Sequence, residues 1–317
     1  MPRKKGKKMS NYNIHEDLKE LDLPYPEMTA SSIKKMNKES RKMKNLHTLI
    51  DGVKESSEKI KGFKKGSINL TIVEPESSDG ILPCLIYYHG GGFVFEGSPE
   101  KFDLVCEHAI KTPCKVVFVD YRLAPKYPFP VGVEDSFAAF EWVYNNASTL
   151  NIDANRIAVM GDSAGGNMAA VVTLMARDRK IGKICYQMLM YPVIDRRLST
   201  KSIKEFTDTP IWNSILTRQM WELYLRKGIV GPKEYASPIE AESLIGLPEA
   251  YIEVAEFDCL RDEGIDYAKE LRSYGVRTEL YILEGAVHGF ERQTDSEYVR
   301  RVVDNRIEAL KKAFEAK

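Results

Sequence analysis

From about residue 66 onward, short apolar runs alternate with stretches of helical periodicity, and this alternation restricts the fold more than any other feature of the chain. "LPCLIYYHG" (82–90) and "CKVVFVDY" (114–121) are continuously apolar, as strands covered on both faces must be. "RIAVMGD" (156–162), "CYQMLMYP" (185–192), "AYIEVAEFD" (250–258) and "TELYILEG" (278–285) repeat the pattern. "SINLTIVEP" (67–75) instead alternates and reads as an antiparallel edge strand or hairpin arm. The spacing predicts helices over 134–147, 164–178, 261–274 and 296–315. In the last of these Val299, Val303, Ile307, Leu310 and Phe314 recur at steps of three and four. Strand–helix alternation of this kind implies an α/β fold with a mainly parallel, doubly wound sheet.

Two segments break the alternation. Over 29–53, Ile33, Met36, Met43, Leu46, Ile50 and Val53 fall at helical spacing in a lysine-rich background, giving one apolar face. Residues 196–240 separate two core strands and contain a second amphipathic stretch around Leu216, Met220, Trp221 and Tyr224. An insertion of that length between core units reads as a lid or pocket wall.

The charges balance, with 46 Lys+Arg against 46 Asp+Glu, so no overall field recruits nucleic acid or anionic lipid. The basic start "MPRKKGKK" reads as a solvated, disordered tail over 1–9. "MSNYNIHEDLKELDLPY" carries charges where an apolar signal core would lie, and no run reaches membrane-spanning length. The five cysteines (Cys84, Cys106, Cys114, Cys185, Cys259) are odd in number and lack C-x-x-C spacing, which argues against a disulfide framework or a zinc site. They are expected to be reduced, buried thiols of a cytoplasmic protein.

The chemistry is concentrated in "RIAVMGDSAGGNMAAVV". Ser163 stands between a buried strand and a helix, flanked by Gly161 and Gly165. A G-x-S-x-G in that context is a sharp turn that presents a serine nucleophile at a helix N-terminus. A serine hydroxyl needs a base, usually histidine, oriented by a carboxylate. Behind such an elbow the chain order is nucleophile, acid, histidine, which selects His288 from His15, His47, His89, His108 and His288. His288 follows the strand "TELYIL". Asp258 follows "AYIEVA" and reaches the same sheet edge, so it is taken as the orienting acid. Asp262 lies in the first turn of a helix, a structural position. "HGGG" at 89–92 leaves another strand, and its side-chain-free backbone can aim N–H groups at an oxyanion, with Ala164 N–H as the further donor. His89 is read as bracing that loop, and Asp162 and Asn167 as anchoring turns.

The stretches "HGGGF" (89–93), "DYRLAPKYPFP" (120–130), "GDSAGGN" (161–167), "YASP" (235–238), "AEFDCLRDEG" (255–264) and "HGF" (288–290) together resemble the hormone-sensitive-lipase-like branch of the α/β-hydrolase esterases. They occur in family order over residues 84–290. The resemblance implies an eight-stranded, mostly parallel sheet with a core over 61–195 and 241–317. It also implies a helical cap from 10–60 and 196–240, a Ser163–Asp258–His288 triad, and an oxyanion hole from Gly91, Gly92 and Ala164. Cys259 departs from the proline that many relatives have after the acid, and places a thiol beside the triad. The prolines and Arg122 of "DYRLAPKYPFP" look like a rigid bracket under the oxyanion loop.

The expected activity is cofactor-independent hydrolysis of a small carboxylic ester, with no metal, no nucleic-acid partner and no stable membrane association. The same triad also serves amide or formamide hydrolysis and deacetylation, and a non-catalytic ligand-binding role on this scaffold is the alternative from a different class. The resemblance favours short acyl chains and is compatible with a homodimer. Tyr25, Phe206, Trp212, Trp221 and Tyr224 are candidates for the pocket wall and equally for packing.

Overall fold

Eight strands form one sheet in the order β1-β2-β4-β3-β5-β6-β7-β8. The computed structural model describes residues 12–21, 27–46, 49–78 and 80–316, so the basic tail and Tyr25 lie outside the described residues. The strands are β1 (Val53–Lys61), β2 (Ser67–Pro75), β3 (Leu82–Tyr88), β4 (Lys115–Asp120), β5 (Ile152–Asp162), β6 (Tyr186–Met190), β7 (Glu249–Phe257) and β8 (Thr278–Val287). β1 pairs antiparallel with β2 and β2 antiparallel with β4, and every later pairing is parallel. "SINLTIVEP" is therefore a hairpin arm inside the sheet. The edge on that side is β1, which the periodicity does not reveal: within "VKESSEKIK" only Val53 and Ile60 are buried.

The helices are α1 (Ala30–Leu46), α2 (Pro99–Lys111), α3 (Val131–Asn145), α4 (Ala164–Arg179), α5 (Lys201–Glu205), α6 (Ser214–Tyr224), α7 (Arg261–Ser273) and α8 (Glu297–Glu315). Alternate residues of β3 divide between the two faces, with Cys84, Ile86 and Tyr88 on one and Leu85 and Tyr87 on the other. Phe137, Met168, Val172 and Leu271, from α3, α4 and α7, fill the first core. Leu104 and Val105 of α2 with Val299, Val303, Ile307 and Leu310 of α8 fill the second. Helices on both faces make the sheet doubly wound, as the alternation implied, and they leave the carboxyl ends of the parallel strands open for a site.

The two segments outside the alternation form α1 and the α5–α6 region. In α1 only Ile33 and Asn37 are buried, out to Lys44. α6 buries Leu216, Met220, Trp221 and Tyr224 on one side, and Asn213 caps it by accepting from the N–H groups of Ile215 and Leu216. Among the described residues no helix is long and apolar enough to cross a membrane.

Candidate active site

β5 ends at Asp162, and the chain reverses into α4 through Ser163, whose backbone sits at φ 56°, ψ −117°. A non-glycine residue holds that conformation only when its surroundings enforce it. Here the Ser163 N–H donates to Met190 O (2.9 Å) and its carbonyl accepts from Val193 N–H (3.0 Å). The flanking glycines allow the close approach. A Cβ on Gly161 would lie 2.1 Å from Gly165 O, and one on Gly165 would lie 1.9 Å from Tyr88 O. Neither contact is physically admissible, so a side chain at either position forces the turn or its neighbours to shift.

His288 follows β8 and Asp258 follows β7, so three parallel strands deliver three groups to one sheet edge. His288 Nε2 lies 2.9 Å from Ser163 Oγ, and His288 Nδ1 lies 2.7 Å from Asp258 Oδ2. A carboxylate only accepts, so Nδ1–H donates to Asp258. Nε2 is then left to accept the Ser163 hydroxyl proton. Asp258 is fully buried, and its second oxygen accepts the Leu260 N–H at 3.0 Å. Asp262 is not in this set. It accepts from Ser202 N–H (2.8 Å) and Arg261 Nε–H (2.8 Å). Burial raises its pKa, but the bonds from Arg261 and Ser202 outweigh that and leave the carboxyl below its usual range.

Opposite the serine, Gly91 (φ 116°) and Gly92 (φ 59°) take backbone angles open to glycine. Among the described residues none accepts from the N–H of Gly91 or Gly92. The N–H of Ala164, the first residue of α4, has no intrahelical acceptor either. The loop is braced as the sequence suggested. His89 Nδ1 meets Gly90 O at 2.7 Å, its ring stacks on Tyr121 at 4.4 Å, and the Tyr121 hydroxyl donates to His89 O at 2.6 Å. Ala124 N–H donates to Phe93 O, and Arg122 forms a two-pronged pair with Asp135 through Nε (2.7 Å) and Nη2 (2.8 Å). Asn167 ties the carbonyls of Val193 and Ala236, both at 3.0 Å.

The site opens into a cavity of about 510 Å³. Met36, Phe95, Phe102, Phe118, Ile211 and Trp212 supply apolar wall. Trp212 closes one side: a Cβ on Gly92 would strike its ring at 2.6 Å, and its ring centroid lies 5.9 Å from that of His288. Of the other aromatic candidates, Phe206, Trp221 and Tyr224 are core residues. Tyr224 stacks on Phe93 at 3.9 Å, and Phe206 packs edge-on against Tyr12. Cys259 is fully buried beside Thr217, and burial together with the neighbouring Asp258 charge holds its thiol far above the usual range. A thiol in that state is unreactive, so its place next to Asp258 does not expose the site to alkylation.

One group at the site was not legible in the sequence. Lys101 of α2 reaches the cavity wall and donates to Asp162 Oδ2 at 2.5 Å and to the Tyr191 hydroxyl at 2.6 Å. Nothing in the local pattern of "PEKFDLVC" marks that lysine as turned inward.

A family model described as the alpha/beta hydrolase fold matches residues 85–292. The chain belongs to that family, in the hormone-sensitive-lipase-like branch that its motifs resemble. Among curated proteins it is 42% identical over 218 residues to Carboxylesterase NlhH of Mycobacterium tuberculosis, covering 66% of this chain and 66% of that one. It is 38% identical over 210 residues to an arylesterase of Saccharolobus solfataricus, covering 65% of this chain and 67% of the other. The chain thus spans slightly under two thirds of the length of NlhH. Among solved structures it superposes on a bacterial heroin esterase with a TM-score of 0.89 at 32% identity, covering 96% of this chain and 99% of that one.

Proposed function

We propose that the chain is a serine carboxylesterase that hydrolyses small, neutral, short-chain acyl esters without a cofactor. The observation that carries this reading is the continuous Ser163 Oγ–His288–Asp258 chain, with both hydrogen bonds under 3 Å. Ser163 Oγ attacks the ester carbonyl while His288 Nε2 takes its proton, and Asp258 stabilises the resulting imidazolium. The N–H groups of Gly91, Gly92 and Ala164 receive the oxyanion. Collapse of the tetrahedral adduct expels the alcohol, which His288 protonates. Water, deprotonated by His288, then releases the acid from the acyl-serine and restores the hydroxyl.

Neutral substrates are favoured because acids and cations balance along the cavity wall, and six of them pair: Arg41 with Glu96, Lys44 with Asp120 and Lys101 with Asp162. The volume suits a short acyl group with a compact alcohol. Of the segments 10–60 and 196–240, α1 and the α5–α6 region act as a cap over the core, since Met36 of one and Trp212 of the other reach the cavity wall, whereas Val53–Ile60 belong to β1 of the core sheet. Free cysteines at all five positions suit a reducing, cytoplasmic setting. The open edge of β8, with Tyr281 and Ile282 exposed, is where a homodimer would form.

Initial rates on p-nitrophenyl esters from acetyl to dodecanoyl test the reading. The rate should peak at short chains and fall by roughly 10⁴- to 10⁶-fold in Ser163→Ala. Equal rates for wild type and Ser163→Ala on every ester would refute ester hydrolysis.

A further inference from the structure

Behind the Ser163–His288–Asp258 set lies a chain of buried charges that the steps above do not use. Lys101 donates to Asp162 Oδ2 and to the Tyr191 hydroxyl, and its ammonium is 3.8 Å from Glu291. Tyr191 donates to Glu291 Oε2 at 2.7 Å. Arg306 of α8 bridges Glu291 Oε1 at 2.6 Å and Glu253 of β7. Asp162, Glu253, Glu291 and Arg306 are all buried, and the Lys101 side chain is only 16% exposed. Three acids thus share two cations, and Arg306 serves the far end of the chain. Lys101 is the cation that touches Asp162.

This cluster meets the reacting groups at two points. Asp162 Oδ1 accepts the Gly90 N–H at 3.0 Å and the Tyr87 hydroxyl at 2.5 Å, which fixes the corner that leads into Gly91 and Gly92. The Tyr191 ring meets the His288 ring edge-on at 4.7 Å, with the Lys101 ammonium 5.1 Å from the same tyrosine ring. Tyr191 also holds a positive φ of 32°, and its N–H donates to Glu253 O at 2.6 Å. A tyrosine keeps such a backbone only where the surroundings over-determine it.

We propose that Lys101 is a positioning residue: its ammonium holds Asp162 to the Gly90–Gly92 loop and Tyr191 to His288, so that one side chain aligns both the oxyanion donors and the base. This rests on the ester-hydrolase reading above. Burial pushes the Asp162 and Glu291 carboxyls up, but Lys101 pulls both back below the usual carboxylate range. Without Lys101 these acids face each other across Tyr191 with Arg306 alone to balance them. The uncompensated charge then draws Asp162 toward water, and Gly90 loses its fixed acceptor.

The test is a set of pH–rate profiles on p-nitrophenyl acetate for wild type, Lys101→Met, Lys101→Arg and Tyr191→Phe, with thermal melts as a folding control. Lys101→Met should lower kcat by about 10- to 100-fold, the scale of a misaligned site, and leave KM within about threefold. The acid limb of its kcat/KM profile should move to higher pH. His288 faces Ser163, Asp258, Trp212 and Tyr191, and beyond Tyr191 stand Asp162, Glu291, Lys101 and Arg306. Deleting one of the two cations leaves surplus negative charge, which favours the protonated imidazole. Lys101→Arg should restore the limb and most of kcat. Tyr191→Phe removes two bonds, to Lys101 and to Glu291, and no charge, so it should lower kcat several-fold with the limb unmoved.

Wild-type kcat and profile in Lys101→Met overturn the proposal. So does a loss of activity with an unmoved limb that Lys101→Arg does not restore. If Lys101→Met fails to fold, Tyr191→Phe decides, and wild-type kcat in that variant overturns the proposal. A wild type inactive on every ester overturns the underlying function instead.

Discussion

Two helices meet the same cavity, α4 through its N-cap Ser163 and α1 along its side, and they are built on opposite principles. α4 starts directly after Ser163, and every residue from Ala164 to Ala176 is buried against the sheet. α1 contributes Lys35, Met36, Glu39 and Arg41 to the cavity wall, yet out to Lys44 it buries only Ile33 and Asn37. Its ties to the core are few: Asn37 bridges Val94 O and Glu96 N–H, Arg41 pairs with Glu96, and Lys44 pairs with Asp120. The contrast separates two tasks. Bond-making groups need alignment within a few tenths of an ångström, and close packing supplies it. A wall that admits substrate needs only to close, and a few polar ties allow it to open.

The sharpest way to break the comparison is to disturb α4 where it has no room. Gly165→Ala places a Cβ 1.9 Å from Tyr88 O and 2.7 Å from His89 O, both backbone atoms that cannot swing aside. Either the elbow or the glycine loop must shift. The expected result is a loss of about 1–3 kcal/mol in chemical denaturation with a fall in kcat of order 100-fold. A Gly165→Ala enzyme with wild-type kcat would show that the elbow is as forgiving as α1.

Acid distinguishes the regions next. His108 of α2 is buried in the core, with Nδ1 against Leu104 O at 3.1 Å. Burial and then the Arg306 charge lower its pKa to about 4. The folded state therefore holds His108 neutral, while the unfolded chain takes up a proton below about pH 6.5. Stability from this site is intact above that value and is lost as the pH falls toward 4, amounting to about 2–3 kcal/mol between pH 7 and 4.5. Urea titrations at several pH values should show that slope in wild type and a shallower one in His108→Gln. Identical slopes would remove His108 as the source.

The regions also differ in how far sequence alone describes them. β3, β5, β6 and β7 are legible because burial on both faces keeps their runs mostly apolar, with Gln187 and Glu253 as buried exceptions. The glycine loop, Ser163 and Asp258 stand after β3, β5 and β7, while His288 follows the half-exposed edge strand β8. β1 is not legible: as an edge strand it pairs on one side only and carries Lys, Glu and Ser over most of its length. α2 also escapes notice, since its apolar residues, Leu104, Val105, Cys106 and Ala109, are interspersed with charges. Trp221 and Tyr224 show why the pocket wall is hardest to read. An aromatic residue at helical spacing looks the same facing Phe93 or facing a cavity. The Lys101–Asp162–Tyr191–Glu291–Arg306 chain is harder still, because its members come from five parts of the chain and meet only after the sheet has closed.

The smallest effect separates the ties of α1 from one another. Asn37 is buried, and Asn37→Ala strands the Val94 carbonyl and the Glu96 N–H without their partners. That should cost about 1–2 kcal/mol locally. The loss falls on a wall of the substrate cavity and not on the reacting groups, so KM should rise a few-fold while kcat holds. Arg41 makes its ion pair from the surface, with 65% of its side chain exposed, where solvent screens the attraction and two long side chains must be ordered. Arg41→Ala should leave KM and the melting temperature within error. Steady-state kinetics on both variants decide the matter, for a fall in kcat in Asn37→Ala would mean that α1 aligns the chemistry as α4 does, and that the division between the two helices is wrong.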